Sequence, residues 1–564
     1  MNYTALTIGP LYQTFSLAKK TREFWAGSFM FSLLMKSIID QIEDKENIIL
    51  PYARNAKYPE LKSVGLYSDR LLYKGSIQDI DTIITNAIDV LASYMYQGSN
   101  SENEDMKRKA QMKELLSSYV QVYHFSSGKI EDINPDPERN YIERLHTVLD
   151  SLELESKITT ASSIKGISKF YKYISKTRIY KEHYLSHYKD GTRSLVEIAT
   201  HELLCCPLFR NAYDELRNKY IKEDKKQDEN VVFVEDDNDF LNALKEKTSI
   251  IIKNEKQAKR PIDNLPVFKN HHKYIAVIYG DGDKMGQLIR EVVKAQDNSL
   301  NGIHTVSSTL FEWAKASAEI IKSYGGLPVY VGGDDILCFA PIVNGKENII
   351  DILQKISADF TDKFKEALKI FPVQDFPTLS FGVSITYYKF PLNEALVHAH
   401  HLIGEMKKNG GNGVNLKMLK HSGSNFHIML KFPHPKMKSN STEFDIFKNL
   451  MEIDFDDKML SSTAYHLQNN ESLLNSINVG DVNNESERNE RIHNFFYNKM
   501  EGYPKDKEMD KPHFFVEVEK MIKHIYREGI DKECLVERKV KCKILPLYDM
   551  LRLVRFFKGL DKTF

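Results

Sequence analysis

Cysteine is scarce. The chain has five cysteines in 564 residues, at positions 205, 206, 338, 534 and 542. That is too few and too irregular for a disulfide framework, and no two stand in the Cys-x-x-Cys pairing of a zinc ribbon. Such usage fits a reducing compartment, and the expectation is a cytoplasmic protein. There is no apolar run near the ~20 residues that a membrane helix needs. The opening Met-Asn-Tyr-Thr-Ala-Leu-Thr-Ile-Gly-Pro has no basic stretch ahead of an apolar one, so neither export nor membrane insertion is expected. Net charge is also lacking: 78 basic residues meet 78 acidic ones. A uniformly basic nucleic-acid-binding surface is excluded, whereas a local basic groove is compatible with a neutral total.

Hydrophobic residues make up 42% of the chain, enough for several cores. At roughly 100–200 residues per domain, the length predicts three or four domains. Tyr3–Ile8 reads as a short strand, broken by Gly9-Pro10 and followed by helical spacing over 12–40. A helix is expected near 78–96 and a polar loop over 97–105. Residues 106–265 read as mainly helical, with a polar stretch at 222–230. The pattern then changes. Tyr274–Tyr279, Pro328–Val331, Ile336–Ala340 and 377–387 are apolar strands, separated by helical segments, and a helix over 391–408 closes the unit. The order β-α-β-β-α-β-α is ferredoxin-like, the order of polymerase and nucleotide-cyclase palms, and places a domain at 266–425. The remainder, 426–564, reads as helical, with polar stretches at 478–490 and 501–512.

Two acidic turns stand out. Tyr279-Gly280-Asp281-Gly282-Asp283 ends one apolar strand, and Gly332-Gly333-Asp334-Asp335 separates two others about fifty residues later. Neighbouring strands of such a sheet bring Asp281, Asp334 and Asp335 to one end. Clustered carboxylates repel unless a cation neutralises them, and hard oxygen donors suit Mg²⁺ or Mn²⁺. Two such ions can activate a 3′-hydroxyl and stabilise a leaving pyrophosphate. Asp281, Asp334 and Asp335 are the candidate catalytic and metal-binding acids, with Gly282 beside them. Gly282 and Gly286 would admit a triphosphate to the backbone N–H groups around Asp283, Lys284 and Met285. Gly332 and Gly333 suit a tight hairpin. Either motif alone is commonly an ordinary turn, and Asp283 could equally cap the following helix. The loop lacks the acidic twelfth position of a calcium-binding EF-hand.

Three stretches resemble the large polymerase-like subunit of type III-B (Cmr) CRISPR effector complexes. They are Gly9-Pro10 with Thr21-Arg22-Glu23-Phe24-Trp25-Ala26-Gly27-Ser28; Asp281–Gly286 with Tyr330–Leu337; and Ser380-Phe381-Gly382-Val383-Ser384-Ile385 with Pro391-Leu392. Gly65–Leu71 and Leu547–Arg552 also look familiar. The resemblance implies an α+β chain with two ferredoxin-like palms. The first, 1–105, would be a pseudo-palm without catalytic acids, and the second, 266–425, would hold the Gly-Gly-Asp-Asp site. Helical domains would lie between and after them. It further implies an RNA-activated nucleotidyltransferase using ATP and two divalent metals, working with other effector subunits, guide CRISPR RNA and target RNA. Its product would be a cyclic oligoadenylate or, in some compact relatives, an AMP conjugate of S-adenosylmethionine. Ser380 is a candidate base contact, Lys407 and Lys408 candidate phosphate ligands, and Gly27 and Ser28 candidates at a second nucleotide. Many relatives carry an HD nuclease domain and a cysteine zinc module. This sequence has no His-Asp dipeptide, and adjacent Cys205-Cys206 read as buried free thiols, so neither DNA cleavage nor structural zinc is expected.

The other histidine and basic clusters read blandly. His271-His272 fall in a basic stretch expected to be a solvated loop. His398 and His401 share a helix face but show no third ligand. Glu537–Lys543 reads as a modest basic patch, and most of the 29 tyrosines and 30 phenylalanines as core. Two rival readings remain open: a scaffold subunit whose palm only binds ATP, and a stand-alone GGDEF-like diguanylate cyclase, from which Asp334-Asp335-Ile336 departs.

Overall fold

The computed structural model describes the chain outside residues 1, 53–63, 100, 128–139, 155–158, 185–193, 224–230, 234–237, 258–264, 296–299, 370, 374, 421–424, 434–441, 455–456, 471, 475–484, 502–510, 529–544 and 561–564. Cys534, Cys542, the Glu537–Lys543 patch and most of the polar stretches at 222–230, 478–490 and 501–512 lie outside the described residues.

The fold is α+β. Strand β1 (Tyr3–Gly9) leads into helices α1 (Leu11–Leu17) and α2 (Thr21–Asp40). The helical periodicity over 12–40 is thus divided between two helices. The division is built at Glu23, whose buried carboxylate accepts the backbone N–H groups of Lys19 (2.7 Å) and Lys20 (3.2 Å) and so caps a new helix. Next come β2 (Ile48–Leu50), β3 (Arg70–Lys74), α3 (Ile80–Met95), α4 (Glu102–Tyr119) and β4 (Gln121–Ser127). The first sheet has the order β2-β3-β1-β4. Its last strand lies past the expected boundary at residue 105: β4 pairs antiparallel with all seven residues of β1, from Tyr3↔Ser127 to Gly9↔Gln121. Without β4, that edge of β1 would leave its backbone donors and acceptors unpaired.

Between the sheets run α5 (Tyr141–Leu154), α6 (Ala161–Tyr173), α7 (Leu195–Ala199), α8 (His201–Leu204) and α9 (Pro207–Tyr220). A small hairpin, β5 (Ile221–Glu223) and β6 (Val231–Phe233), and α10 (Asn238–Gln257) follow. The second sheet comprises β7 (Tyr274–Asp283), then, after α11 (Met285–Ala295) and α12 (Leu300–Ser323), β8 (Leu327–Gly332) and β9 (Asp335–Pro341). Beyond a two-residue hairpin, β10 (Val343–Asn344) and β11 (Glu347–Asn348), come α13 (Ile349–Ala367), β12 (Thr378–Tyr387), α14 (Leu392–Lys408), β13 (Gly413–Leu419) and β14 (Phe426–Lys431). The order β14-β13-β12-β7-β9-β8 shows that α14 does not close the unit. It is the crossover that lets β13 run parallel to β12. Helices α15 (Glu443–Glu452), α16 (Asp457–Asn469), α17 (Glu485–Glu501), α18 (Lys511–Glu528) and α19 (Leu545–Lys558) complete the chain. Among the described residues no helix is long and apolar enough to cross a membrane.

The second sheet is covered on both faces, which is why its strands read as continuous apolar runs. Gly382 of β12 faces α14, and a methyl group there would meet Ala399 O at 2.1 Å and Ile403 N at 2.5 Å. Both obstacles are backbone, so the helix itself would have to move. Gly382→Ala is therefore expected to lower stability by about 1–3 kcal/mol, the usual range for overpacking, read as a fall in melting temperature. The same change at Gly286, where a methyl group meets nothing within 4 Å, should leave it within about 1 kcal/mol.

Candidate active site

β7 lies between β9 and β12, and its register fixes where its acids project. Gly280 is opposite Ile336, Asp281 opposite Ser380, and Asp283 opposite Thr378. The β8–β9 hairpin closes on the pair Gly332↔Asp335, with Gly333 at φ +63°, a conformation that favours glycine. Its tip sets Asp334 against the end of β7. Gly282 leaves the space that Asp334 occupies: a methyl group at 282 would meet Asp334 Oδ2 at 2.7 Å and Cβ at 2.8 Å. Side-chain room for the neighbouring acid is therefore a further reason for glycine here, besides any approach to phosphate.

Asp281 and Asp334 are close enough to share a hydrogen bond, which requires a proton on one of them. Crowding by protein first, and then the charge of Asp281, raise Asp334 to about 6. Burial and the charges of Asp334, Asp281 and Asp69 push Asp335 well above the carboxylate range. Asp335 nonetheless has an exposed surface. Solvent contact discounts the share due to burial, and the repulsion among the acids is the part that stands. Lys407, at the end of α14, opposes both shifts. Its Nζ pairs with Asp281 and donates to Gly282 O at 3.1 Å. Of the two lysines singled out in the sequence, Lys407 enters the cluster. Lys408 stays at the exposed helix end.

Asp283 has a different task, and it is not a helix cap. Its carboxylate accepts Thr378 Oγ1 (2.8 Å), Ser380 Oγ (2.7 Å) and the backbone N–H of Asn412 (2.9 Å). It fastens β7 to β12 and to the turn before β13. Ser380, fully buried, is committed to that bond and is not presented to a base. Lys284 follows at φ +61°, strained for a side chain of its size, and turns the chain into α11. Met285 and Gly286 form the first turn of that helix, and Gly286 has open space beside it.

Gly27 and Ser28 are placed apart from the acids. A methyl group on Gly27 would meet Tyr171 Oη at 2.7 Å, so Gly27 serves the packing of α2 on α6. Ser28 is buried beside Gly65, where a methyl group would meet its Oγ at 2.5 Å. Gly65 belongs to a loop that reaches across to the second sheet: Val331 N donates to Gly65 O at 2.9 Å. A cavity of about 280 Å³ also lies between the two halves, lined by Tyr12 and Phe15 of α1, Tyr279 of β7, and Leu396, His400 and His401 of α14. Tyr279 and Asp281, two apart on one strand, share a face, so the cavity opens beside the acids.

Two expectations from sequence are overturned outside this site. His271 and His272 are not in a solvated loop: they are 1% and 0% exposed and packed against Glu202. Among the described residues only Glu202, His271 and His272 bring three potential ligand atoms within 4.8 Å. His272 Nδ1 accepts the Lys269 N–H (2.8 Å), so its Nε2 carries the proton and donates to Glu202 (3.0 Å). That tautomer spends the nitrogen a metal would need, and the group works as a hydrogen-bonded joint. Burial, with the neighbouring His271, holds His272 down at about 4 although Glu202 pulls the other way, and the two imidazoles, working against burial, hold Glu202 at about 2. Cys205 is exposed and Cys206 half-buried, not a buried pair: they follow the end of α8, in the turn before α9.

Comparison with known proteins agrees with this architecture. Residues 274–415 match the Cas10/Cmr2 second palm domain, and residues 3–115 match the N-terminal region of the CRISPR-associated protein Cmr2. Over 266 residues the chain is 26% identical to the CRISPR system Cmr subunit Cmr2 of Pyrococcus furiosus, covering 43% of this chain and 27% of that protein. The match thus spans about a quarter of the curated relative. The fold is similar to that of chains in two type III-B Cmr-beta structures. For the apo state the TM-score is 0.56, at 12% identity over 100% of this chain and 82% of that one. For the complex bound to cognate target RNA it is 0.57, at 11% identity over 99% and 83%. The chain thus carries one segment similar to the N-terminal region of Cmr2 and another similar to the Cas10/Cmr2 second palm domain.

Proposed function

We propose that the chain is the nucleotidyltransferase subunit of a type III-B CRISPR effector complex, activated by target RNA and making an adenylate messenger from ATP. One observation carries the reading: Asp281 and Asp334 share one end of the second palm's sheet, with Asp335 beside them and a single lysine between acids and backbone. Nothing in the packing of the fold requires acids there, and their mutual repulsion works against it.

The donor set fits two Mg²⁺ or Mn²⁺ ions. The ligands are hard carboxylate oxygens, the missing Cβ of Gly282 makes the cradle, and Lys407 stands in as a cation. Asp281, Asp334 and Asp335 would hold the ions, which would supply Lewis-acid polarisation of phosphate oxygens and a more acidic 3′-hydroxyl. The protein's own part is placement. Lys407, at the end of α14 and beside Asp281, would be within reach of phosphate charge. The turn at Lys284, Met285 and Gly286 would offer the first-turn N–H groups of α11 to the triphosphate. The cavity beside Tyr279 has room for a nucleobase against Tyr12 and Phe15. A hydroxyl oxygen of one nucleotide would then attack the α-phosphorus of another as the bond to pyrophosphate breaks.

The proposed partners are further effector subunits, guide RNA and target RNA. The assay follows directly: the assembled complex, with and without matching target RNA, is given labelled ATP and Mg²⁺ or Mn²⁺, with and without S-adenosylmethionine. A target-dependent adenylate is expected, lost at least 100-fold in Asp334→Ala/Asp335→Ala, and its mass separates a cyclic oligoadenylate from an S-adenosylmethionine conjugate. A complex that assembles and binds target without making product would leave a scaffold. A guanylate product would point to a diguanylate cyclase.

Stability of the metal-free chain should carry the same signature. An acid whose folded pKa is raised holds its proton in the native state after the unfolded chain has lost it, so stability falls as pH rises. For Asp334 the window runs from 3.8, the ordinary value, to about 6. In chelator, the wild type should lose more stability across that window than Asp334→Asn/Asp335→Asn, and above it the variant should melt higher. Equal pH slopes in thermal melts would remove the strained acid pair.

A further inference from the structure

The two sheets repeat one plan. The first has the order β2-β3-β1-β4 and the second contains β8-β9-β7-β12, with helices inserted at the same points. The Gly-Gly-Asp-Asp hairpin leads into β9, which begins at Asp335, so Asp334 is the residue just before that strand. In the first sheet β3 begins at Arg70, and the residue just before it is Asp69. Ile8 N donates to Asp69 O at 2.9 Å, which holds Asp69 beside the end of β1 as the hairpin is held beside the end of β7. The first palm-like half therefore does carry an acid at the topological counterpart of Asp334.

The loop before Asp69 is stitched to the second palm. Gly65 forms a parallel bridge with Tyr330, and Val331 N donates to Gly65 O. Leu66 O lies 3.0 Å from where a methyl group on Gly332 would sit, and the rings of Tyr67 and Phe311 are 5.6 Å apart. The contact falls on β8, the edge strand that runs into the hairpin. Asp69 thereby comes within electrostatic reach of both Asp335 and Tyr330. Among the described residues Asp69 forms no ion pair of its own; burial raises its carboxyl and adjacent Arg70, itself paired with Asp150 (2.6 Å) and Glu153 (3.0 Å), pulls it down.

We infer that Asp69 is a positioning residue of the metal site, a fourth negative charge supplied across the cleft by the first palm-like half, which strengthens divalent-cation binding at the hairpin. The inference rests on the metal reading above. It makes metal loading depend on the seating of the Gly65–Asp69 loop against β8, so that a movement parting the two halves would weaken the site without touching its ligands.

The test is Mn²⁺ binding by the full chain, followed by the EPR signal of the free ion, for the wild type, Asp69→Asn, Asp69→Glu and Asp334→Asn/Asp335→Asn. Removing one charge that acts on the hairpin through space should weaken Mn²⁺ binding about three- to tenfold. The difference should shrink as NaCl rises, because salt screens a charge acting through space. Asp69→Glu should restore most of the loss. Asp69→Asn binding like the wild type, while Asp334→Asn/Asp335→Asn does not bind, would overturn the inference and leave the metal reading intact. Equal weakening by Asn and Glu would also overturn it, since shape rather than charge would then be at work. Unchanged binding in the hairpin variant would instead remove the metal reading itself.

Discussion

Like charges gathered at one end of a sheet have to be held there by something stronger than their repulsion. Here that is the backbone. The pairing of β7 with β9 and β12 sets Asp281, and the hairpin closed by Gly332↔Asp335 sets Asp334 and Asp335. Neither set can relax away without breaking ladder hydrogen bonds of a sheet covered on both faces. The repulsion is partly relieved by the contact between Asp281 and Asp334 and by Lys407 on Asp281. Both lessen it without cancelling it, so the acids stay electrostatically unsatisfied.

The surrounding design divides labour among similar residues. Asp281 and Asp283 are two apart on one strand, yet Asp283 is saturated by three donors and welds β7, β12 and the β13 turn together. That weld keeps its neighbour's position rigid. Glu202 with His271 and His272 does similar work at the other end of β7, tying α8 to the strand's entry, while His271 Nδ1 lies 3.4 Å from Phe556 O of α19. The second palm is thus pinned at both ends of its central strand. The first palm-like half meets it along β8.

Much of the site was legible in sequence because it is local. An apolar strand followed by Asp-Gly-Asp, and two apolar strands around Gly-Gly-Asp-Asp, state their own structure. The parts that were not legible are those settled by distant residues. Whether Asp283 binds a ligand or a strand depends on Thr378 and Asn412, and whether Ser380 faces a base depends on Asp283. His271-His272 look solvated among lysines until Glu202 arrives from about seventy residues away. In the first palm the end of β1, where Gly9-Pro10 stands, carries no acid. Its acid precedes β3, a strand too short to announce itself. Strands β4, β13 and β14 were missed for a related reason: their mixed polar spelling (Gln-Val-Tyr-His-Phe in β4) becomes a strand only through its neighbours.

The central claim is that the acids at the end of β7 are a metal and phosphate site. A structure of the chain with Mn²⁺ and a non-hydrolysable ATP analogue tests it most directly. The account predicts anomalous Mn²⁺ signal among Asp281, Asp334 and Asp335, with Lys407 turned from Asp281 toward the phosphates. An analogue bound elsewhere, with the Lys407–Asp281 pair intact and no ion at the hairpin, would contradict it.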